Sequence, residues 1–295
     1  MQSDDAMDRP LPPRLPKRRR GRRLLLAILL LGLFLTAAMF GEAMRMPVLR
    51  ETAIDLPGYP AGARPLRVVL LGDTHMGGPD QSPARLGRIV AAVNALHPDL
   101  ILLAGDYKGE PKLPGFGYSR AEGAAPLGAL RAPLGVVAVL GNHDHWDDAG
   151  AWTRLLEAEG IIVLRNQAVR RGPVVIGGVD DAYSEHADLA ATLAAAETLG
   201  GPIVLLSHGA LPFKQAGGPL PPFLAAHTHC GQIALPFVGP LYLPYKHPIR
   251  YACGRYDEPG RTIVVSGGVG TSNLPLRLNA PPDYWLITLR APPAR

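Results

Sequence analysis

The sequence predicts an α/β domain of mixed sheets with helices on the outside. Short apolar runs recur from Leu66 onward, and most end on an Asp, Asn or His. In the first half these runs alternate with amphipathic stretches of helical length, the pattern of parallel strands. Over residues 161–179 they are separated only by turns, the pattern of antiparallel strands.

The chain has 295 residues, 47% apolar and 19% charged, so an ordinary buried core is within reach. Its net charge of +5 is concentrated at one end. Arg9, Arg14, Lys17, Arg18, Arg19, Arg20, Arg22 and Arg23 against Asp4, Asp5 and Asp8 account for all of it. The rest is balanced, so the high pI indicates no nucleic-acid partner. Cys230 and Cys253 are too few for a disulfide scaffold and leave one bridge open in an oxidising compartment.

Residues 1–23, rich in Pro and Arg, predict a disordered basic tail. Leu24 to Phe40 is an uncharged run of 17 residues, and residues 24–44 read as a transmembrane anchor or a signal segment. The basic cluster before it places the N-terminus in the cytoplasm and the remaining chain outside, at the cell membrane. Cleavage near Gly41-Glu42-Ala43 and export is the alternative, and Arg22-Arg23 before three leucines is a loose twin-arginine pattern. The anchor is the reading adopted. Residues 45–65, with four prolines, predict a linker, and residues 66–295 the folded domain.

Leu66–Leu71 reads as a buried strand running into Asp73. Ser82 to Leu96 reads as a helix, with Ser82 as N-cap, Pro83 in its first turn and Leu86, Ile89, Val90 and Val93 on one face. Leu100–Ala104 and Gly135–Leu140 are strands ending at Asp106 and Asn142, with a Gly/Pro-rich loop, 109–123, expected to overhang their ends. Ala149–Glu159 and Asp188–Leu199 read as helices, and residues 161–179 as antiparallel strands. Ile203–Leu206 runs into His208 and Phe223–Ala226 into His227, while Ile263–Val265 and Tyr284–Leu289 close the sheets.

The chemistry-bearing groups are Asp73-Thr74-His75, Gly105-Asp106, Gly141-Asn142-His143-Asp144, Ser207-His208 and His227-Thr228-His229. Strands ending on one rim of a sheet can each supply one ligand. Carboxylates with imidazoles suit Mn, Fe or Zn better than Ca or a thiolate site. A carboxylate can bridge two cations, and a cation pair clamps a phosphate and acidifies a water. Five of the nine histidines fall at these positions, whereas His97, His186 and His247 read as ordinary residues. Asp180 and Asp181 read as turn caps, and Asn273 and Arg277 as structural.

In this order the five motifs resemble the calcineurin-like metallophosphoesterase superfamily over about residues 66–290. Within it the chain is similar to the bacterial membrane-associated YkuE- and YaeI-like phosphodiesterase branch. That similarity is carried by Gly178-Val179-Asp180-Asp181, His227 through Ile233, and Gly268-Val269-Gly270-Thr271-Ser272 with Leu274 through Arg277. The resemblance implies a four-layer α/β/β/α sandwich of two mixed sheets and two divalent or trivalent metal ions. It assigns Asp73, His75 and His229 to one metal, Asn142, His208 and His227 to the other, and Asp106 to both. His143 would be the general acid, and Lys108 and His145 are candidates to contact the phosphate. The implied reaction is in-line attack of a metal-held hydroxide on a phosphodiester or phospholipid-like substrate. Two alternatives stay open: a pyrophosphohydrolase of the UDP-diacylglucosamine type in lipid A synthesis, and a catalytically silent metal-binding envelope module. The chain departs from the family pattern at Ala226 and Cys230, where Gly is usual, at Gly109, where an acid orients the catalytic His, and at Gly209-Ala210 after Ser-His.

Overall fold

A computed structural model describes residues 17–244 and 249–293. The expected tail up to residue 16, and His247, lie outside the described residues. The chain divides into two compact units, Met1–Ala38 and Met39–Arg295. Helix α1, Lys17–Met44, crosses that division. Its stretch Gly21–Met44 is long and apolar enough to cross a membrane, and its leucines from Leu24 to Leu33 are exposed. The helix starts at Lys17, inside the stretch expected to be a disordered tail.

The second unit carries strands β1 (Val48–Asp55), β2 (Leu66–Leu71), β3 (Leu100–Leu103), β4 (Val136–Ala138), β5 (Ile162–Val163), β6 (Gln167–Arg171) and β7 (Val174–Val179). They continue with β8 (Ile203–Ser207), β9 (Phe223–Ala225), β10 (Ala234–Leu235), β11 (Gly239–Pro240), β12 (Gly254–Glu258), β13 (Arg261–Val265) and β14 (Asp283–Arg290). Its helices are α2 (Pro83–Asn94), α3 (Arg120–Ala124), α4 (Asn142–Ala158), α5 (Leu189–Leu199) and α6 (Leu211–Gln215).

Two six-stranded sheets form, in the orders β1-β14-β2-β3-β4-β5 and β12-β13-β9-β8-β7-β6. Strands β2 to β5 run parallel, as do β7, β8, β9 and β13, while β12 and β6 pair antiparallel to their neighbours and β14 lies antiparallel to β2 and parallel to β1. The sheets pack face to face through Val68, Leu70, Leu102 and Val137 of one and Ile176, Val204, Leu206, Leu224 and Val264 of the other. On the outer face of the first, Val69, Leu71 and Leu103 meet Leu86, Ile89 and Val93 of α2 and Trp152 and Leu156 of α4. On the outer face of the second, Leu205 and Phe223 meet Phe213 of α6, with Leu189 and Leu193 of α5 packed alongside. This is the four-layer α/β/β/α sandwich that the resemblance implies.

The expected linker 45–65 is corrected in part, because Val48–Asp55 is an edge strand paired parallel with β14 along its whole length. Its sequence, Val-Leu-Arg-Glu-Thr-Ala-Ile-Asp, mixes charge with half-buried positions and carries no clear alternation. Arg85, almost fully buried on α2, fixes the segment just before it. Its guanidinium donates to the carbonyls of Ala43 (3.2 Å), Arg45 (2.8 Å) and Val269 (2.9 Å) and to the Gln81 side chain. Loop 109–123 also differs from expectation. It is held by the buried ion pair of Lys112 with Asp80 (3.2 Å) and by the Gly78 amide bonded to the Phe116 carbonyl (2.9 Å), and none of its residues lines the cavity over the motif residues. Strand β5, expected to be antiparallel, joins the first sheet parallel to β4.

Gly178 on β7 faces Leu164 and Val139, which follow β5 and β4 of the first sheet. A methyl group there would overlap the Leu164 side chain and press on Val139. We expect Gly178→Ala to lower unfolding stability by about 1–3 kcal/mol, the usual cost of overpacking a core. Denaturant titration of the detergent-solubilised chain reads this, and an unchanged midpoint would show that the sheets can part at that point.

Candidate metal centre

The parallel strands deliver the motif residues to one place. Asp73 and His75 follow β2, Asp106 follows β3, His208 follows β8, and His227 and His229 follow β9. Asn142 and His143 open α4, whose first turn is set off from the rest by non-helical backbone at Asp148. The predicted position of that helix, starting at Ala149, therefore missed the segment that carries the chemistry.

All seven predicted ligands and His143 converge. Potential ligand atoms within 4.8 Å of one another form three groups: Asp73–His75–His229, His75–Asp106–His143 and Asp106–His208–His227. Asp106 Oδ2 lies 3.4 Å from His75 Nε2 and 3.2 Å from His208 Nε2, between the two sets. Asn142 Oδ1 is 3.1 Å from His208 Nε2, and His227 Nδ1 is 2.9 Å from the same nitrogen. His75 Nε2 and His229 Nε2 are 3.0 Å apart.

The outer nitrogens fix the rings. Nδ1 of His75 donates to the Lys108 carbonyl (3.1 Å), and Nδ1 of His208 donates to the Ala104 carbonyl (2.7 Å). A carbonyl only accepts, so each Nε2 turned inward is a lone pair in the neutral ring. His229 differs, since its Nδ1 meets Arg277 Nη2 at 3.2 Å. Backbone strain is concentrated here: φ is 52° at Asp73, 39° at His75, 55° at Asp106, 78° at His227 and 51° at His229. Left-handed conformations in non-glycine residues are uncommon and gather at functional sites.

Burial sets the electrostatics. It pushes Asp73 up to about 7, with the nearby Asp106 carboxylate adding to the rise. Burial opposes charge on His208, but the Asp106 carboxylate outweighs it and lifts His208 to about 10. Burial holds His75 well below its ordinary value, and holds His229 low with help from His75 and Arg277. One oxygen, Asp73 Oδ1, is buried without a hydrogen-bond partner, while Oδ2 accepts from the His227 amide at 3.0 Å.

Four residues outside the predicted ligand set, Asp144, Arg277, Gly268 and Tyr183, build the frame. Asp144, fully buried, accepts four backbone N–H bonds, from Asp106 and Gly141 on one oxygen (both 2.9 Å) and Tyr107 (2.8 Å) and Lys108 (2.9 Å) on the other. It stands at the third position of α4 and ties that helix to the Asp106 loop. Arg277 is structural, as expected, and clamps the Gly268 loop with Nη2 on the carbonyls of Gly267 (2.8 Å) and Gly270 (2.6 Å). Gly268, at φ 69°, presses so closely on Asp73 that no larger residue fits. Tyr183 covers the His227 ring, with centroids 3.9 Å apart. Gly209 makes this possible, because a side chain there would run into the Tyr183 ring.

Other departures from the family pattern also find causes. Gly109 lies against the backbone of His75 and Met76, so an acid has no room there. His143 is placed instead by its amide on Asp106 Oδ1 (3.0 Å) and by the rings of His75 (4.8 Å) and Trp146 (5.2 Å). Cys230 packs buried against Gly267, and both thiols are free.

A cavity of about 540 Å³ opens over the cluster. His75, Asp106, Asn142, His143, His227 and His229 form its floor, and residues 231–233, 241, 242, 244 and 272–274 its walls. Lys108 and His145 do not line it. Lys108 borders a separate depression with Arg120 and Arg154, its ammonium 3.7 Å from Glu110. His145 is bonded to Asp180 (2.7 Å) and stacked on His186 at 4.1 Å. Asp181 caps a turn by accepting from the Ser184 amide (2.5 Å), whereas Asp180 is a buried ion-pair partner of His145 and Arg165 (2.9 Å).

Residues 66–231 match the calcineurin-like phosphoesterase family. A transmembrane protein with metallophosphoesterase domain from Danio rerio is 32% identical over 88% of this chain, which spans 62% of that relative's length. The uncharacterized metallophosphoesterase YkuE of Bacillus subtilis (strain 168) is 30% identical over 82% of this chain and 85% of its own. Among solved structures, a 5'-nucleotidase precursor from Thermus thermophilus aligns at 17% identity over 76% of this chain and 55% of its own, with a TM-score of 0.44. The fold and the buried cluster of carboxylates and imidazoles define a protein built around groups that could hold metal ions. The chain belongs to the calcineurin-like phosphoesterase family, whose members use divalent metals.

Burial raises the Asp180 carboxyl, but hydrogen bonds from His145 and Arg165 outweigh it and hold the pKa below the ordinary 3.8. Its charge therefore adds stability above that value and loses it as pH falls toward the depressed one. Asp180→Asn is expected to cost about 1–3 kcal/mol at neutral pH, with the gap to the native chain closing below pH 3.8. Denaturant midpoints across that range test this, and a gap constant with pH would mean that Asp180 acts by shape alone.

Proposed function

We propose that the chain is a metal-dependent phosphodiesterase of the cell membrane, anchored by α1 with its N-terminus cytoplasmic and its folded unit outside. One observation carries the catalytic reading: Asp106 Oδ2 stands between His75 Nε2 and His208 Nε2, inside a single buried set of ligand atoms. The donor set fits a pair of cations. Asp73 Oδ1 is buried and unpartnered, and His75 and His208 turn Nε2 inward with Nδ1 on a carbonyl, which leaves His75 a lone pair and would give His208 one once a cation displaced its proton. Asp73, His75 and His229 would hold one ion and Asn142, His208 and His227 the other, with Asp106 shared. For His229 this means that its Nδ1 carries the proton and Arg277 keeps its carbonyl partners. Mixed carboxylate, amide and imidazole donors suit Mn, Fe or Zn. When bound, such ions neutralise phosphate charge and acidify water.

The remaining work falls to the chain's own groups. His143 reaches the cavity from the first turn of α4 and supplies a proton to the leaving oxygen. The strained loops hold the donors in place before substrate arrives, so little reorganisation is needed during the reaction. The aromatic ring of Tyr183 covers His227 and keeps water from its outer face.

His143→Ala is expected to retain metal and lose about 10²–10⁴-fold in turnover of bis-p-nitrophenyl phosphate, the usual size of a general-acid contribution. Metal analysis with steady-state kinetics checks both halves, and near-normal turnover would remove His143 from the role. Asp106→Asn is expected to lower occupancy at both positions of the cation pair. Loss of one ion alone would show that Asp106 is not shared.

A further inference from the structure

The walls of the cavity differ from its floor. Leu241, Tyr242 and Leu274 line it and are more than half exposed, at 56%, 67% and 54%, and Trp146 stands beside them at 66%. The apolar surface continues outward along the β10–β11 hairpin to its turn, where Phe237 is fully exposed and Val238 is 70% exposed. Hairpin turns ordinarily carry Gly, Asn or Asp. Here Phe237 takes a left-handed φ of 65°, so two apolar side chains are held into solvent at a backbone cost. A contiguous apolar surface of this kind marks an interaction site, and aromatic residues are favoured at the boundary between water and lipid.

The folded unit itself indicates what covers this surface. Its first residues, from Met39, are the end of the apolar helix, and only three residues separate Met44 from β1. The Met39 carbonyl accepts the Arg277 amide at 3.0 Å. Arg277 is three residues from Leu274, whose carbonyl accepts Gln232 Nε2 at 2.8 Å, next to the start of the hairpin segment. The chain therefore enters the folded unit beside the rim that carries the exposed apolar residues, with no linker long enough to hold that rim away from a bilayer.

We propose that the hairpin segment 233–244 with Leu274 is a bilayer-docking surface, and that the cavity draws its phosphodiester from the membrane. The apolar walls take the first carbons of the acyl chains and the buried floor takes the phosphate; this rests on the phosphodiesterase reading above. In the step implied, water adds to phosphorus and the bond from phosphorus to one alcohol oxygen breaks. A proton passes to that oxygen, giving a phosphomonoester and an alcohol.

The test uses the full chain reconstituted in phosphatidylcholine–phosphatidylglycerol vesicles. Phe237→Cys, in a Cys230→Ala and Cys253→Ser background, carries an environment-sensitive dye. Docking predicts blue-shifted emission quenched by nitroxide lipids, and emission typical of water would overturn it. In a second arm, Phe237→Asp with Val238→Asp should cut hydrolysis of vesicle-borne phosphatidylglycerol about tenfold, the factor given by 1.4 kcal/mol of lost interfacial binding. Turnover of soluble bis-p-nitrophenyl phosphate should be unchanged. Equal loss on both substrates, or loss on neither, would overturn the docking role. Failure of the parent chain to cleave bis-p-nitrophenyl phosphate with Mn, whatever the dye shows, counts against the phosphodiesterase reading instead.

Discussion

The site depends on one carboxylate that is kept charged where charge is costly. Asp106 is 1% exposed, and burial alone would neutralise it. Its pKa is nevertheless held well below the ordinary range: against burial stand the positive potential of His208 and His143 and the hydrogen bond with His208. Its other oxygen takes the amide of His143, and its own amide is held by Asp144. Removing any of these would leave a buried charge without its counterpart, which costs more than the contact itself contributes. Asp106 therefore couples the end of β3, the first turn of α4 and the loop after β8 into one rigid unit.

The two sheets make that unit possible. Parallel strands end on the same side, so β2 and β3 from one sheet and β8 and β9 from the other bring their following residues to a common rim. Each strand end then turns sharply, and the left-handed residues at Asp73, His75, Asp106, His227 and His229 are those turns. Arg277 and Asp144 hold the turns by their backbone groups, leaving the side chains of the donors free to face inward.

Much of this was legible from the residues in order. Apolar runs of strand length ending on Asp, Asn or His carried the parallel strands and the donor set, because burial on both faces demands uninterrupted apolar residues. What stayed hidden lacked a periodic signal. Strand β1 is a charged edge strand specified by its partner β14 and not by its own pattern. The first turn of α4 is polar because it faces the site, so its helical character is masked by function. Lys108 and His145 stood beside motif residues in sequence, yet the strand-end turns direct them elsewhere. The cover of Tyr183 over His227, and the reason Gly109 has no room for an acid, could be found only from space-filling, since each depends on a distant segment.

The guanidinium of Arg85 gives the stretch at the end of the apolar helix a structural duty. Two of its carbonyl acceptors, on Ala43 and Arg45, come from residues that also terminate the apolar helix, and a third, on Val269, belongs to the loop that presses on Asp73. A protease cut downstream of Arg45, or a soluble form beginning there, would strip a buried cation of half its acceptors and unseat that loop. Separating the domain from its helix at that point would thus disturb the surroundings of Asp73 and not be a simple release.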